Sequence, residues 1–503
     1  MSKRNLGVIV LVVIVSFVCM LNISLQDRVF RYVAQKIASQ SLDDVSQQAL
    51  YEGGLSGMTE IISDHPYTSY LPPAEQGDYE RELQGEVVGI GIFHVQKDVK
   101  TGEISFIPVF GTPAAKAGLK LGDRIVMIDK KPVKDISVWD AFGLLRGTEG
   151  SKVVLKIRPA GVASDAPESK LKDVQITRAL FRQDIVYGDR RKKDGSWDFC
   201  LKDRPEIGYI AVTQFTDATV PEFAEAIDQL EKLKTEKVIL DFRGNPGGFL
   251  PGAVEICNMF VPAGKDIVTT RHRGGTIKDR FVATDCKKYP FQLVVLVDEG
   301  SASASEIVSA CLQDHKCATI VGNRSYGKGT VQELFALPCQ MGELRLTNAS
   351  FWRPSNVPLH RFPSSKPTDS WGVTPNDGFL ITLEKYPKMI SVLVRDLRRS
   401  LPFDQVDQAV ADTLKEYEKL ISEMKQAKSV RIRREYEALL GLDSNTNEDE
   451  KKPEHHSTIP HGKPAPSAPA SDTEADNFKP AGKAPYFDPQ LEKAIEFFSH
   501  GQK

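Results

Sequence analysis

An apolar run, Leu293 to Val297, is followed by a string of small residues, Gly300-Ser301-Ala302-Ser303-Ala304-Ser305-Glu306, which opens a helix-patterned segment, Ile307 to Leu312. The unbroken Val/Leu character predicts a strand buried on both faces, which puts the string at a strand-to-helix turn inside an α/β core. A serine held there projects its hydroxyl from a rigid scaffold. The next backbone N–H opens the helix, where negative charge is favoured. Three serines among small residues can equally do no more than cap a helix, and a hydroxyl without a base is a poor nucleophile.

The segment Gly322-Asn323-Arg324-Ser325-Tyr326-Gly327-Lys328-Gly329-Thr330-Val331-Gln332 offers a base. It nearly spells a phosphate-binding loop, G-x-x-x-x-G-K-[ST], but Gly329 stands where the magnesium-binding hydroxyl belongs. Thr330 to Leu337 also has the spacing of a strand, where such a loop needs a helix. Lys328 therefore reads as a lysine walled in by glycines close to apolar strands. Burial penalises the ammonium, and a neutral lysine beside a serine is a general base.

The strings SASASEI, GKGTVQ and, upstream, LDFRGNPGG resemble the signature blocks of the C-terminal processing peptidases, or tail-specific proteases. These are serine endopeptidases with a Ser-Lys dyad and a PDZ domain. The resemblance runs from about Asp64 to Asp377. It implies that Ser303, the middle serine, is the nucleophile and Lys328 the base, at the family's spacing of 25 (328 − 303 = 25). It further implies that Gln332 orients the lysine, and that Gly247 or Gly248 supplies one oxyanion N–H and Ala304 the other. No cofactor is expected.

Other blocks fit the same organisation. Val88-Gly89-Ile90-Gly91-Ile92 resembles a PDZ carboxylate-binding loop, and Thr112 to Ile125 resembles the block that follows it. Gly89, Ile90, Gly91 and Ile92 can turn successive N–H groups toward an anion, and the strand starting at Ile92 offers an edge to a substrate peptide. Trp139 to Leu145 is expected as the helix facing that groove. Two departures stand out here: Lys130-Lys131 replaces the usual turn glycine, and Gly161 to Lys170 is a polar insertion. From Phe181 strands and helices alternate. The strand Lys237 to Phe242 ends in Arg243-Gly244-Asn245-Pro246-Gly247-Gly248, a turn able to present N–H groups to an oxyanion. Arg353 to Ser370 is longer than the family's turn, with the length to reshape a substrate entrance.

The fold class expected is mixed α/β, a βαβ-type catalytic core with an inserted PDZ domain, an N-terminal helical cap and a C-terminal helical and disordered extension. Its parts are a signal anchor or signal peptide (1–26), the cap (27–84), the PDZ domain (85–180) and the protease core (181–385). A helical extension (386–442), of which Gln405 to Leu442 reads as a solvated helix or helical hairpin, a Pro-rich linker (443–487) and a closing helix (488–503) follow. A chain of 503 residues exceeds one hydrophobic core. A formal charge of −2 offers no basic field for nucleic acid. The apolar run Leu6 to Leu25 behind Lys3 and Arg4 is longer than a usual signal core. It favours an uncleaved anchor, with the catalytic part on the periplasmic side of an inner membrane. Seven cysteines permit disulfides without fixing any, and the absence of H-E-x-x-H or paired C-x-x-C sets argues against a metal site. The expected partners are protein substrates held by their C-termini; nothing sets an oligomeric state. Two other readings stay open: a Ser-His-Asp hydrolase using His272 or His315, and an inactive PDZ-bearing scaffold.

Overall fold

Apolar residues at helical spacing between Leu25 and Glu60 form two helices in the computed structural model, α1 (Leu25–Gln40) and α2 (Gln47–Glu60). Ser46 starts α2 by accepting the N–H of Ala49 at 3.1 Å. The residues described are 25–62, 67–98, 101–362, 364–366, 368–383, 385–426 and 488–500. The apolar run but for Leu25, the residues Asp64-His65-Pro66, and the Pro-rich linker lie outside them, as do residues 427–442 of the helical extension. No helix among the described residues is long and apolar enough to cross a membrane.

The chain divides into two units, one of Met1–Gly77 with Gln332–Asn348, the other of Asp78–Val331 with Ala349–Lys503. In the first, β1 (Ser69–Leu71) interrupts a stretch expected to be helical throughout. It pairs antiparallel with the segment Glu343 to Arg345, in register Ser69↔Arg345 and Leu71↔Glu343. Pro72 disfavours helix in the residue before it, so that the next helix opens only at Pro73 (Pro73–Leu83), and the Tyr70 hydroxyl fixes the strand by donating to the Met341 carbonyl at 2.8 Å.

The second unit begins with β2 (Glu86–Gly89), β3 (Ile92–Lys97), β4 (Ile104–Pro108) and β5 (Arg124–Ile128). Then come α3 (Val138–Leu145), β6 (Lys152–Arg158), β7 (Lys172–Thr177) and β8 (Ala179–Arg182). Strands β3 to β7 form one antiparallel sheet in the order β3-β4-β5-β6-β7, and β2 pairs with β8. Ile104, Ile125, Ile128, Val153 and Leu155 are its fully buried core. The missing turn glycine after β5 is replaced by Asp129, which takes a positive φ of 49° and accepts the Val154 N–H on its own carboxylate at 2.9 Å.

The rest of the unit is built on four parallel strands side by side: β9 (Arg204–Val212), β10 (Lys237–Asp241), β12 (Gln292–Val297) and β13 (Ala318–Gly322). Parallel strands need crossovers, which α4 (Thr219–Lys232), α5 (Leu250–Asn258), β11 (Asp266–His272) and α6 (Ala304–Asp314) supply. The α4 face that follows from its spacing, Phe223, Ala226, Ile227 and Leu230, is fully buried. After β14 (Thr330–Ala336) and β15 (Glu343–Trp352), the chain enters α7 (Lys385–Ser400) and α8 (Phe403–Gln426). These two are not a solvated extension. Ile390, Leu393, Val394 and Leu397 of α7 bury against Val406, Ala409 and Val410 of α8 and Ile107 of β4. The last helix, α9 (Pro489–His500), returns to the core and buries Leu491, Ala494 and Phe498.

Candidate active site

Ser303 sits between β12 and α6 with φ 55° and ψ −114°, a strained conformation that a tight strand-to-helix turn imposes. It is 8% exposed. Its own N–H donates to Glu306 Oε2 at 2.9 Å. Glu306 is wholly buried, and it also reaches the lysine segment: Oε2 accepts the Lys328 N–H at 2.8 Å. Oε1 accepts the Gly327 N–H at 2.7 Å and the Ser325 hydroxyl at 2.5 Å. A second link joins the two segments, from the Tyr326 N–H to the Ser301 carbonyl at 3.0 Å. One carboxylate thus binds the backbones of Ser303 and the half-buried Lys328 into one frame. The part played by Glu306 was not assigned from sequence, although Ser303-Ala304-Ser305-Glu306 has the S-x-x-E form in which a glutamate reaches back to the residue opening a helix.

The glycine turn after β10 lies against this frame. Gly247 has φ 96°, and a Cβ there would meet the Ala302 carbonyl oxygen at 2.6 Å and Ser303 Cβ at 2.7 Å, so no larger residue fits. Asn245 ties the turn to the Ser303 segment: its carbonyl accepts the Ala302 N–H at 2.9 Å and the Ser305 hydroxyl at 3.1 Å. The two candidate glycines separate here. The Gly247 N–H is spent on Asn245 Oδ1 at 2.8 Å, whereas the N–H groups of Gly248 and Ala304 meet no acceptor among the described residues.

Gln332 belongs to the first unit, where its side-chain amide donates to Thr347 Oγ1 at 3.2 Å. His315 caps the C-terminal end of α6 as Ser303 caps its start, which puts the two about 18 Å apart. Its Nε2 lies 2.7 Å from the Asp266 carbonyl oxygen. His272 sits at the exposed end of β11. His315 is too far along α6 to act on Ser303. The six cysteines among the described residues are free thiols. The long segment Arg353 to Ser370 folds onto the lysine loop, where the Arg361 N–H donates to the Gly327 carbonyl at 2.9 Å. Trp371 is flanked by the guanidinium carbons of Arg324 and Arg361 at 3.4 and 4.9 Å from its ring centre.

In the antiparallel domain, Gly89 ends β2, Ile92 opens the edge strand β3, and α3 packs beside β3. Between them Gly91 has φ 79° and lies so close to Thr112 that a Cβ would fall 2.2 Å from its Cβ. The Ile90 and Gly91 carbonyls are taken by the N–H groups of Ala114 and Val109, leaving their own N–H groups without an acceptor among the described residues.

A parallel α/β core and an antiparallel domain with a glycine loop at its edge strand are what comparison with known proteins also finds. Residues 206–376 match peptidase family S41, and residues 109–159 match a PDZ domain. The carboxy-terminal-processing protease of Bartonella bacilliformis is 34% identical over 339 residues, covering 66% of this chain and 71% of that protein. The carboxy-terminal processing protease CtpA of Bacillus subtilis is 34% identical over 299 residues, covering 59% of each chain. Among solved structures, the photosystem II D1 C-terminal processing protease is similar at 26% identity and a TM-score of 0.41, over 70% of this chain and 86% of that one. The chain belongs to the carboxy-terminal processing proteases, the S41 serine peptidase family that carries a PDZ domain.

Proposed function

We propose that the chain is an endopeptidase that captures protein C-termini in its PDZ domain and cleaves upstream of them with a Ser303–Lys328 dyad. The observation that carries the reading is the Glu306 carboxylate, which holds the Ser303 and Lys328 backbones at once. In this reading Ser303 Oγ attacks the scissile carbonyl, Lys328 Nζ takes the proton and returns it to the leaving amine, and water then releases the acyl group by the same route. The N–H groups of Gly248 and Ala304 stabilise the oxyanion, and Gln332 orients the lysine. The Ile90 and Gly91 N–H groups, between Gly89 and Ile92, receive the substrate's terminal carboxylate, and its last residues add a strand along β3. The apolar run from Leu6 anchors the chain with its catalytic part on the extracytoplasmic side of the inner membrane.

The test compares one peptide with a free and an amidated C-terminus, cleaved by the intact protein and by Ser303→Ala. Charge-assisted hydrogen bonds from backbone N–H groups contribute about 1.5–3 kcal/mol, so amidation should lower kcat/KM roughly ten- to a hundred-fold. Ser303→Ala should cleave neither. Equal cleavage of both ends would remove tail recognition, and an active Ser303→Ala would remove the dyad.

A further inference from the structure

One buried charge beside the candidate site takes no part in the proposed chemistry. Arg243 follows β10 by two residues, and its side chain is 1% exposed. Two carboxylates match it. Asp241, at the end of β10, accepts from Nε at 2.9 Å and from Nη2 at 2.6 Å. Asp488 comes from 245 residues further along the chain and accepts from Nη1 at 2.7 Å, where Gln490 Oε1 is the second acceptor at 3.2 Å. Asp488 is itself wholly buried and also accepts the Leu491 N–H at 3.1 Å, which starts α9.

Arg243 leads directly into the glycine turn. The next N–H, of Gly244, donates to Asp298 Oδ1 at 2.7 Å, which also accepts the Gly300 N–H at 2.9 Å, ahead of the nucleophile. Asn245 then ties the turn to Ala302 and Ser305. With both Nη1 acceptors gone Arg243 keeps Asp241 but is left with a buried donor unpaired, a cost that favours a shift of the guanidinium. The backbone that moves with it is the one that presents Gly247 and Gly248 to Ser303.

We infer that Asp488 is a positioning residue: through Arg243 it sets the Gly247-Gly248 turn, so this one side chain, at the head of α9, completes the catalytic site without touching substrate. This rests on the reading of Ser303 as nucleophile. A misplaced oxyanion donor lowers turnover and leaves ground-state binding alone.

The test uses the full-length protein. Asp488→Asn keeps the side chain's shape and its ability to start a helix but removes the charge. Its kcat should fall about 10- to 100-fold with KM within about two-fold of wild type. Phe498→Ala loosens α9 from the core without touching Arg243, and should lower Tm while keeping kcat. Should Asp488→Asn not fold, Gln490→Ala removes the second acceptor, together with the amide's own bond to the Ile381 carbonyl at 2.9 Å, and is expected to lower kcat roughly three- to ten-fold, again at constant KM. An Asp488→Asn protein with wild-type kcat, or a Phe498→Ala protein that loses kcat in the same proportion to its loss of Tm, overturns the inference. Ser303→Ala separates the two failures. Activity surviving there overturns the nucleophile reading and the inference with it, whereas an inactive Ser303→Ala beside an unaffected Asp488→Asn overturns the inference alone.

Discussion

A carboxylate without exposure is tolerated only if its lone pairs are filled, and at Glu306 four donors fill them. Burial pushes its pKa up to about 7, against the opposing pull of the donors from Ser325, Gly327, Ser303 and Lys328. The folded value lies above the ordinary 4.5, so the folded state holds the proton more tightly. This stabilisation is complete below the unfolded value and is lost as pH rises through about 7. Glu306→Gln cannot titrate, so its Tm should fall less steeply than that of wild type between roughly pH 4.5 and 7.5. Thermal melts across that range check it; parallel curves would assign the slope to another group. An amide also turns an NH2 toward two of the four donors, which should cost about 1–3 kcal/mol of positioning and roughly ten-fold or more in kcat.

At the scale of elements, the apolar stripe of α7 carries its own prediction. Leu397 is fully buried in the cluster that α7, α8 and Ile107 share. Leu397→Ala should destabilise the protein by about 2–5 kcal/mol, read as a lower midpoint in urea. A loss below about 1 kcal/mol would mean that the helix pair does not unfold with the core. Ile390, Leu393, Val394 and Leu397 stand at helical spacing, but the density of Glu, Lys and Arg that follows made Gln405 to Leu442 read as solvated, which hid that Val406, Ala409 and Val410 cover the stripe. The strand-turn-helix around Ser303 was read well because its signal is local, a continuous apolar run ending in small residues. The strand at Ser69 to Leu71 was not, since its pairing with Glu343 to Arg345 is a contact between distant segments that no window of sequence contains. The same holds within the site. Ser303 and Lys328 stand in blocks whose pattern can be recognised, whereas the Arg243–Asp488 pair spans 245 residues and only folding brings it together.

For the whole molecule, acid is the condition that should weaken the buried ion pair behind the glycine turn. Burial alone would raise the pKa of Asp241, but the charge and hydrogen bonds of Arg243, with Arg395 and Tyr209, outweigh it and hold the group at about 2. A depressed value stabilises the fold above the unfolded pKa of 3.8 and is lost as pH falls toward 2. Asp241→Asn should therefore be less stable than wild type at pH 7 and show a shallower loss of stability on acidification below about pH 4. Chemical denaturation at both pH values measures this, and an equal acid limb in the two proteins would place the acid sensitivity elsewhere.

The distance along the chain between Arg243 and Asp488 is also a distance in time. At roughly 5–20 residues per second, a ribosome needs about 12–50 s to travel the 245 residues between them. Once Lys328 has been made, and for the remaining 160 residues (488 − 328 = 160), the nascent core holds Ser303 and Lys328 but lacks the carboxylate that settles Arg243. With Asp488 as the inferred positioning residue, the turn beside Ser303 should reach its final geometry only after the segment 488–500 has been made, and a chain cut short before it should lack activity.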